Sequence, residues 1–207
     1  MNCTLFISLN YGVISTVKSR LLIGLISLLC TSFCEAQNKE QTQFLKSYFS
    51  KSEKLIYAKG LAKFEIDDIR KFLIKDTIFS LDYKYNPNSD RLILSKEERK
   101  AIDNQLDSLN INNWYDSLHI ENSRAISKDS IEAIFDPSPA IGWKYFYEKY
   151  GLKFYRFSKP ILFRNNTLCV FYCSYYCSSF CGEGTLMVFR KEQGNWIKWL
   201  TLYGWVS

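Results

Sequence analysis

The sequence predicts an α+β fold in which N-terminal helices pack on a C-terminal antiparallel β-meander. Residues 95–150 carry helix caps and apolar positions at helical spacing, whereas residues 154–205 consist of short extended runs separated by turns. Helices followed by strands are the order typical of this class. Hydrophobic residues make up 47% of the 207 residues, and the 9 Gly and 4 Pro are too few for a collagen or a disordered linker protein.

The first 36 residues have the order of a secretory signal peptide, with basic, then apolar, then small residues. The uncharged run at 21–30 is about half of the ~20 residues that a membrane-spanning helix needs. We expect cleavage before Gln37, which leaves one secreted or periplasmic domain at 37–207, with 37–90 as a candidate for a loosely packed N-terminal lobe. The alternative is that the leader is not cleaved. In that case we expect the protein to contact a membrane only through the leader.

Four segments are predicted as helices from their apolar spacing and end signals. They are residues 39–54, 95–109, 127–135 and 141–150. Ser95 with Glu98 three residues later forms a capping box, Ser127 is an N-cap, and Gly151 stops the last helix. The run Asp136–Pro139 is expected to break the chain between the last two helices.

Six segments are predicted as extended. They are residues 92–94, 154–157, 161–163, 167–176, 184–191 and 196–205. Turns at 86–89, 165–166 and 193–195 separate them, and the short connections between the last three predict an antiparallel meander. Residues 55–90 otherwise give no assignable structure.

Four cysteines remain after the leader, each four residues after the last. They are Cys169, Cys173, Cys177 and Cys181. Four residues of strand span ~13 Å, and disulfide Cα atoms lie within ~7 Å, so Cys169 and Cys173 cannot bond to each other in a strand. Cys177 and Cys181 flank a turn, and an exported chain favours disulfides, so we predict a Cys177–Cys181 bridge that fixes the loop.

Cys169 and Cys173 lie on one strand face, together with Phe171 and Tyr175, because the side-chain period of a strand is two. We predict that both are small buried core residues. Metal handling by the four thiols and thiol redox chemistry are weaker alternatives, because four ligands along one strand cannot converge and the spacing is not Cys-x-x-Cys. We predict neither a metal nor a cofactor.

Catalytic candidates are few. His119 is the only histidine, and adjacent carboxylates such as Asp67-Asp68 and Glu97-Glu98 are typical of solvated helix faces. The sequence has no Walker loop, Gly-x-Gly-x-x-Gly, Gly-x-Ser-x-Gly or His-Glu-x-x-His motif. A small extracytoplasmic, hydrolase-like enzyme using His119 or carboxylates is therefore the alternative, and no catalytic residue is assigned.

Aromatic residues are dense in the C-terminal half and could form a ligand-facing surface or simply core. The candidates for ligand contact are Trp143, Tyr147, Tyr155, Trp199, Tyr203 and Trp205. The net charge of +6 is spread along the chain without a dense basic stripe, so we expect no nucleic-acid partner.

The C-terminal third carries a recognisable pattern. Its parts are Phe157-Ser158-Lys159-Pro160-Ile161, Cys177, Cys181-Gly182-Glu183-Gly184, Gly194-Asn195-Trp196 and Trp205-Val206-Ser207. The pattern resembles small exported proteins of Bacteroidota without an assigned activity. The resemblance covers residues 90–207 and implies an extracytoplasmic location and a β-rich C-terminal half, without catalytic residues. We therefore expect an exported, non-enzymatic domain that binds a protein or a surface glycan.

Overall fold

A mixed seven-stranded sheet organises the part of the chain that this computed structural model describes, which is residues 37–207 apart from 51, 53, 87–89, 108–112, 117 and 137. The strands are β1 (Leu55–Ala58), β2 (Thr77–Phe79), β3 (Arg91–Ile93), β4 (Ser123–Ile126), β5 (Phe154–Phe157), β6 (Ile161–Phe163), β7 (Leu168–Ser178), β8 (Cys181–Glu192) and β9 (Asn195–Val206). The order across the sheet is β4–β1–β5–β7–β8–β9, β6 pairs with β7 beside β5, and β2 and β3 form a separate hairpin.

The C-terminal meander and the α+β class are confirmed. Strands β7, β8 and β9 pair antiparallel in sequence order, and β5 and β6 pair antiparallel with successive parts of β7. Tight turns connect these strands where the sequence places Asn165, Asn166 and Gly194, which all adopt positive φ. Strands β8 and β9 extend one to three residues beyond their predicted ends, whereas β7 begins one residue later and ends two residues later than predicted.

Strands β1 and β4 are the part of the sheet that the sequence did not predict. Strand β1 lies between β4 and β5 and runs parallel to both. All four of its residues are buried, so it lacks the alternation that identifies a half-exposed strand. Residues 41–207 form one compact unit, and β1 places residues 55–58 in the interior of that unit.

The helices are α1 (residues 37–48), α2 (Lys63–Leu73), α3 (Lys96–Asp107), α4 (Asn113–Asp116), α5 (Lys128–Phe135) and α6 (Pro139–Lys149), and a 3₁₀ turn spans Leu81–Lys84. The predicted capping box is present, because Ser95 N–H donates to Glu98 and Glu98 N–H donates to Ser95 Oγ at 3.1 Å. Ser127 Oγ likewise accepts from Ser130 N–H at the start of α5.

Two predicted helix boundaries are wrong. Helix α1 ends at residue 48, not 54, because the chain must turn before it enters β1. Pro139 does not extend the break before α6 but is the first residue of that helix, where proline is favourable because its missing N–H has no partner in a first turn. Gly151, with φ of 150°, follows the end of α6 as predicted.

Opposite faces of the meander are covered by different helices. The face that bears Leu168, Val170 and Tyr172, here called the α2 face, packs against α2 and α3. The face that bears Cys169 and Phe171, here called the α1 face, packs against the apolar side of α1. Helices α5 and α6 pack against β1, β4 and β5 beside the α2 face.

Several predictions concern residues outside the described part of the chain. These are the leader at 1–36, the centre of the turn at 86–89, the last residues of the helix at 95–109 and Pro137. Within the described ranges, no helix combines the length and the hydropathy required to cross a membrane.

Candidate functional site

The tip of the β7–β8 hairpin is the most exposed apolar feature of the meander. Cys177 and Cys181 flank the turn at disulfide distance, with Cα atoms 5.1 Å apart. Phe180 lies between them with 90% of its surface exposed. The cysteine pair therefore closes a short loop and holds a phenyl ring in solvent.

Two further apolar side chains lie at the same end of the sheet. Leu152 is 79% exposed and precedes β5, whose first residue pairs with Tyr176, one position before Cys177. Val206 is 82% exposed and pairs with Glu183, two residues after Cys181. We call Leu152, Phe180 and Val206 the tip patch.

Aromatic side chains next to the hairpin hold the tip in place through a hydrogen bond and ring contacts. Tyr147 of α6 donates from its hydroxyl to the Cys177 carbonyl at 2.5 Å. The Tyr176 ring stacks on Phe154 and is tilted against Trp205. The Trp205 indole crosses Gly184 so closely that a Cβ there would collide with the indole and with a tyrosine hydroxyl, which explains the second glycine of the Cys-Gly-x-Gly run.

A buried carboxylate lies beneath these rings, on the α2 face. Glu65 of α2 is 1% exposed. Its Oε1 accepts hydrogen bonds from Ser174 Oγ at 2.6 Å, Tyr176 OH at 3.1 Å and Tyr172 OH at 3.2 Å. Its Oε2 accepts from the N–H of Ala62, the N-cap of α2, at 2.7 Å. We call this set the Glu65 network.

The network extends to the last strand. Trp205 Nε1 donates to Tyr172 OH at 2.9 Å, so the chain of donors runs from the indole through the hydroxyl to the carboxylate. Burial raises the pKa of Tyr172 and Tyr176, and the charge of Glu65 raises each further. Arg156, 8% exposed, donates to the Gly60 carbonyl at 3.5 Å and lowers the pKa of Tyr176 electrostatically.

The chemistry of the Glu65 network is that of a support, not of a reacting centre. The lone pairs of the carboxylate are occupied by donors of the same chain, and almost none of its surface reaches solvent. Buried and satisfied networks of this kind fix a unique arrangement of the elements that they connect. Here they connect α2 to β7 and β9 directly below the tip.

The six aromatic residues proposed from the sequence are separated by the fold. Tyr147 and Trp205 contact the tip, whereas Trp143 is buried in the core at 7% exposure. Trp199 Nε1 donates to Asp90 at 2.5 Å, and Tyr203 OH donates to Asp68 at 3.1 Å. These two rings therefore face elements of their own chain.

Tyr155, the sixth candidate, lies on the α1 face. It neighbours Tyr175, and the Nζ of Lys153 lies 5.3 Å from the Tyr155 ring and 5.4 Å from the Tyr175 ring. The lysine thus occupies a ring face that a stacking ligand would need.

His119 is exposed in the segment between α4 and β4. A cleft of about 220 Å³ between α2 and α3 is lined by other residues, and Asp103 is the one carboxylate among those lining it. The structure therefore does not bring His119 and a set of carboxylates together in this cleft.

Cys169 and Cys173 are buried and unbonded, in agreement with the predicted core role. Burial raises the pKa of Cys169 far above its ordinary value and raises the pKa of Cys173 to about 12, with a hydrogen bond to Tyr48 acting in the opposite direction. Burial therefore favours the neutral thiol over the reactive thiolate at both positions. Within the described ranges, no three His, Cys, Asp or Glu side chains are placed to hold a metal ion.

Sequence reasoning missed Glu65 and its hydroxyl partners. The available signal was a carboxylate in register with Ile69 and Leu73, at positions i, i+4 and i+8 of one helix face. A charged residue in a buried stripe requires partners, and here they come from β7, more than a hundred residues later.

Comparison of the chain with known proteins found no matching protein family, no matching curated protein and no matching solved structure.

Proposed function

We propose that this chain is an exported, non-enzymatic domain that binds a protein partner through the tip patch. One observation carries the proposal. Of the described large hydrophobic side chains, the four most exposed are Phe180, Tyr85, Val206 and Leu152, and all of these except Tyr85 lie at one end of the sheet. Apolar groups gathered in solvent mark interaction surfaces more often than apolar groups scattered singly.

The rigidity of the tip supports a binding role. The cysteine pair closes the loop, Tyr147 holds the Cys177 carbonyl, and the Glu65 network fixes the strands below. A surface that is ordered before it binds loses less conformational entropy on association. An exposed phenyl ring on such a surface is suited to enter an apolar pocket of a partner.

The aromatic geometry favours a protein over a glycan. Sugars stack on open ring faces, yet Lys153 lies over Tyr155, and Trp199 and Tyr203 are directed at carboxylates of their own chain. The tip patch itself consists of two aliphatic side chains and one phenyl ring. Apolar side chains of this kind match the buried centre of a protein–protein interface.

Export is supported by the leader sequence and by the cysteine pair at disulfide distance, because disulfides persist in oxidising compartments. On this proposal, the protein is one of the small exported Bacteroidota proteins that its C-terminal pattern resembles. N-terminal sequencing of protein from the extracytoplasmic fraction of the source organism is expected to begin at Gln37. Cytosolic protein that begins at Met1 would contradict export.

Partner binding is tested by comparing Phe180→Ser with Tyr85→Ser, which removes an equally exposed ring outside the tip. Surface and secreted proteins of the source organism are captured on each immobilised variant and quantified by mass spectrometry. We expect a partner that binds wild type and Tyr85→Ser but not Phe180→Ser. Equal capture by all three, or binding to a glycan array that Phe180→Ser does not change, would contradict the proposal.

A further inference from the structure

The β2–β3 hairpin is a second surface, which the proposed function does not use. It forms a two-stranded sheet of its own, separate from the main sheet. Strand β3 lies on one side of β2, and the described part of the chain places no strand on the other side. Strand β2 therefore has an open edge, which is a template for pairing with another chain.

The hydrogen bonds of the hairpin show which backbone groups point to the open edge. Leu94 N–H donates to the Asp76 carbonyl at 2.7 Å, and bonded pairs alternate along an antiparallel ladder. The next residue of β2 that is bonded to β3 is therefore Ile78. The N–H and C=O groups of Thr77 and Phe79 point away from β3, and they have no hydrogen-bond partner among the described residues.

The edges of β3, β9 and β4 differ from that of β2. On the outer edge of β3, the Ile93 carbonyl accepts from Arg164 at 2.6 Å. Strand β9 has two register shifts, and Ser80 Oγ donates to its Thr201 carbonyl at 3.4 Å. Strand β4 carries the exposed Arg124. Charges, irregularities and covering contacts protect an edge from pairing, and the uncharged, regular β2 has no such protection within the described ranges.

Apolar side chains lie beside the open edge. Ile78 faces the core, so Phe79 and Ile93 point to the opposite side of the hairpin, where they are 36% and 56% exposed. The Tyr83 ring lies against Phe79, with centroids 4.1 Å apart, and is 37% exposed. At ~200 Å² for each fully exposed side chain, these three expose about 250 Å². The charged residue of this side, Arg91, is on β3, the strand farther from the open edge.

We propose that β2 pairs with β2 of a second copy of this chain, antiparallel and about a two-fold axis at Ile78. Thr77 of each copy lies opposite Phe79 of the other, and the four outward N–H groups donate to the four outward carbonyls. The three residues of β2 are sufficient for this pairing. The two Phe79 rings lie diagonally across the axis, within reach of each other. This interface does not include the tip patch.

Two features of the hairpin favour its own copy over a different protein. The charged residues that flank β2 sum to zero, so two copies do not repel each other; they are Lys75, Asp76, Asp82 and Lys84. The exposed apolar side chains lie beside the axis, so each copy supplies the apolar neighbour that the other lacks. Because the apolar area is small, we expect a reversible dimer that forms as the concentration rises.

Analytical ultracentrifugation of the full chain over a range of concentrations tests the dimer. We expect the mass of wild type to rise from that of a monomer towards twice that value. Thr77→Pro removes an N–H that faces the second copy but no bond to β3, and it should leave the protein monomeric. Arg91→Pro makes the same change on the other edge of the hairpin and is the matched control, which should dimerise as wild type does.

Charge exchange at the axis tests the two-fold geometry. Phe79→Lys and Phe79→Glu each bring two like charges together, so each variant alone should be monomeric, whereas an equimolar mixture should form a heterodimer. In wild type, the amides of Thr77 and Phe79 should exchange with deuterium more slowly at concentrations at which the dimer forms, and the amide of Arg91 should not. Monomeric wild type at every concentration, a dimer unaffected by Thr77→Pro, or a dimer lost in Phe180→Ser instead would overturn the proposal.

Discussion

On the α2 face of the meander, a helix buries a carboxylate among hydroxyl groups, whereas on the α1 face another helix buries phenyl rings and two thiols. Glu65 receives four donors on the first face. On the second face, Phe44 of α1 packs edge-on against Phe171 and Phe189, each with ring centroids 5.0 Å apart. At the centre of each face the side chains are buried, since Glu65, Tyr172, Phe44 and Phe171 are each at most 1% exposed.

The two faces differ in how strongly their contacts depend on the orientation of the interacting groups. A hydrogen bond to a buried carboxylate fixes distance and angle, and each unmade bond is costly in a medium of low polarity. Ring packing is less directional, and apolar cores tolerate exchanges that keep volume. The α2 face should therefore determine where β7 and β9 lie, and with them the tip, whereas the α1 face mainly supplies apolar burial.

The largest expected effect follows from removal of the carboxylate. Glu65→Ala leaves the hydroxyls of Ser174, Tyr172 and Tyr176 without their acceptor in the interior, so we expect a loss of about 3–5 kcal/mol in the free energy of unfolding. Urea denaturation measures it. Glu132→Ala, at an exposed position of α5, is the control and should stay within about 0.5 kcal/mol. Similar values for the two variants would contradict the role of the network.

The next largest loss of stability is expected at alkaline pH, where two tyrosines of the α2 face ionise. The pKa of Tyr172 and of Tyr176 is raised in the folded protein, first by burial and then by Glu65. Their contribution to stability is therefore complete below about pH 10, the ordinary tyrosine value, and is lost as the pH rises through the folded pKa. Urea midpoints measured from neutral to alkaline pH should fall steeply.

The double variant Tyr172→Phe/Tyr176→Phe tests the source of that fall. Without the two hydroxyls, the protein is less stable at neutral pH but loses less stability on going to alkaline pH. Tyr145→Phe, on the exposed side of α6, should leave the pH profile of wild type unchanged. A double variant with the wild-type profile would assign the alkaline transition to other tyrosines.

A matched pair of conservative changes compares the faces directly. Tyr172→Phe removes a single oxygen, yet it deprives Trp205 of its acceptor and Glu65 of a donor, so we expect a loss of about 1–3 kcal/mol. Leu45→Met, on the α1 face, keeps the volume of a fully buried side chain and leaves no polar group unpaired, and we expect a loss of less than about 1.5 kcal/mol. Chemical denaturation ranks the two, and the reverse order would contradict the distinction between directional and non-directional packing.

The meander was predictable from the sequence because its information is local. Gly194 marks the β8–β9 turn, and the capping box of Ser95 and Glu98 marks the start of α3. Strand β1 was not predictable in this way, because a strand buried on both faces lacks alternation and its partners β4 and β5 are distant in sequence.

Part of the candidate site could likewise be predicted from the sequence, and part of it could not. The pairing of Cys177 with Cys181 follows from spacing and a turn, and the structure places the two residues at disulfide distance. The placement of Leu152 and Val206 at the same end of the sheet as Phe180 depends on strand register, which the composition of each strand does not specify. Glu65 could be recognised as unusual in its stripe, but its hydroxyl partners lie on another element far along the chain.

A modest effect on stability, but the most informative one on function, should come from the tip cysteines. Cys177→Ser/Cys181→Ser opens a loop so short that its closure contributes at most about 2 kcal/mol in the chain-entropy model. Because Phe180 then loses its fixed position, we expect partner capture to fall several-fold while the melting temperature changes little.

Cys169→Ala/Cys173→Ala, on the α1 face, is the control. It removes equal numbers of sulfur atoms from the core, and should lower the melting temperature more but leave capture intact. If capture instead followed melting temperature across the two variants, the tip would have no binding role distinct from the stability of the fold.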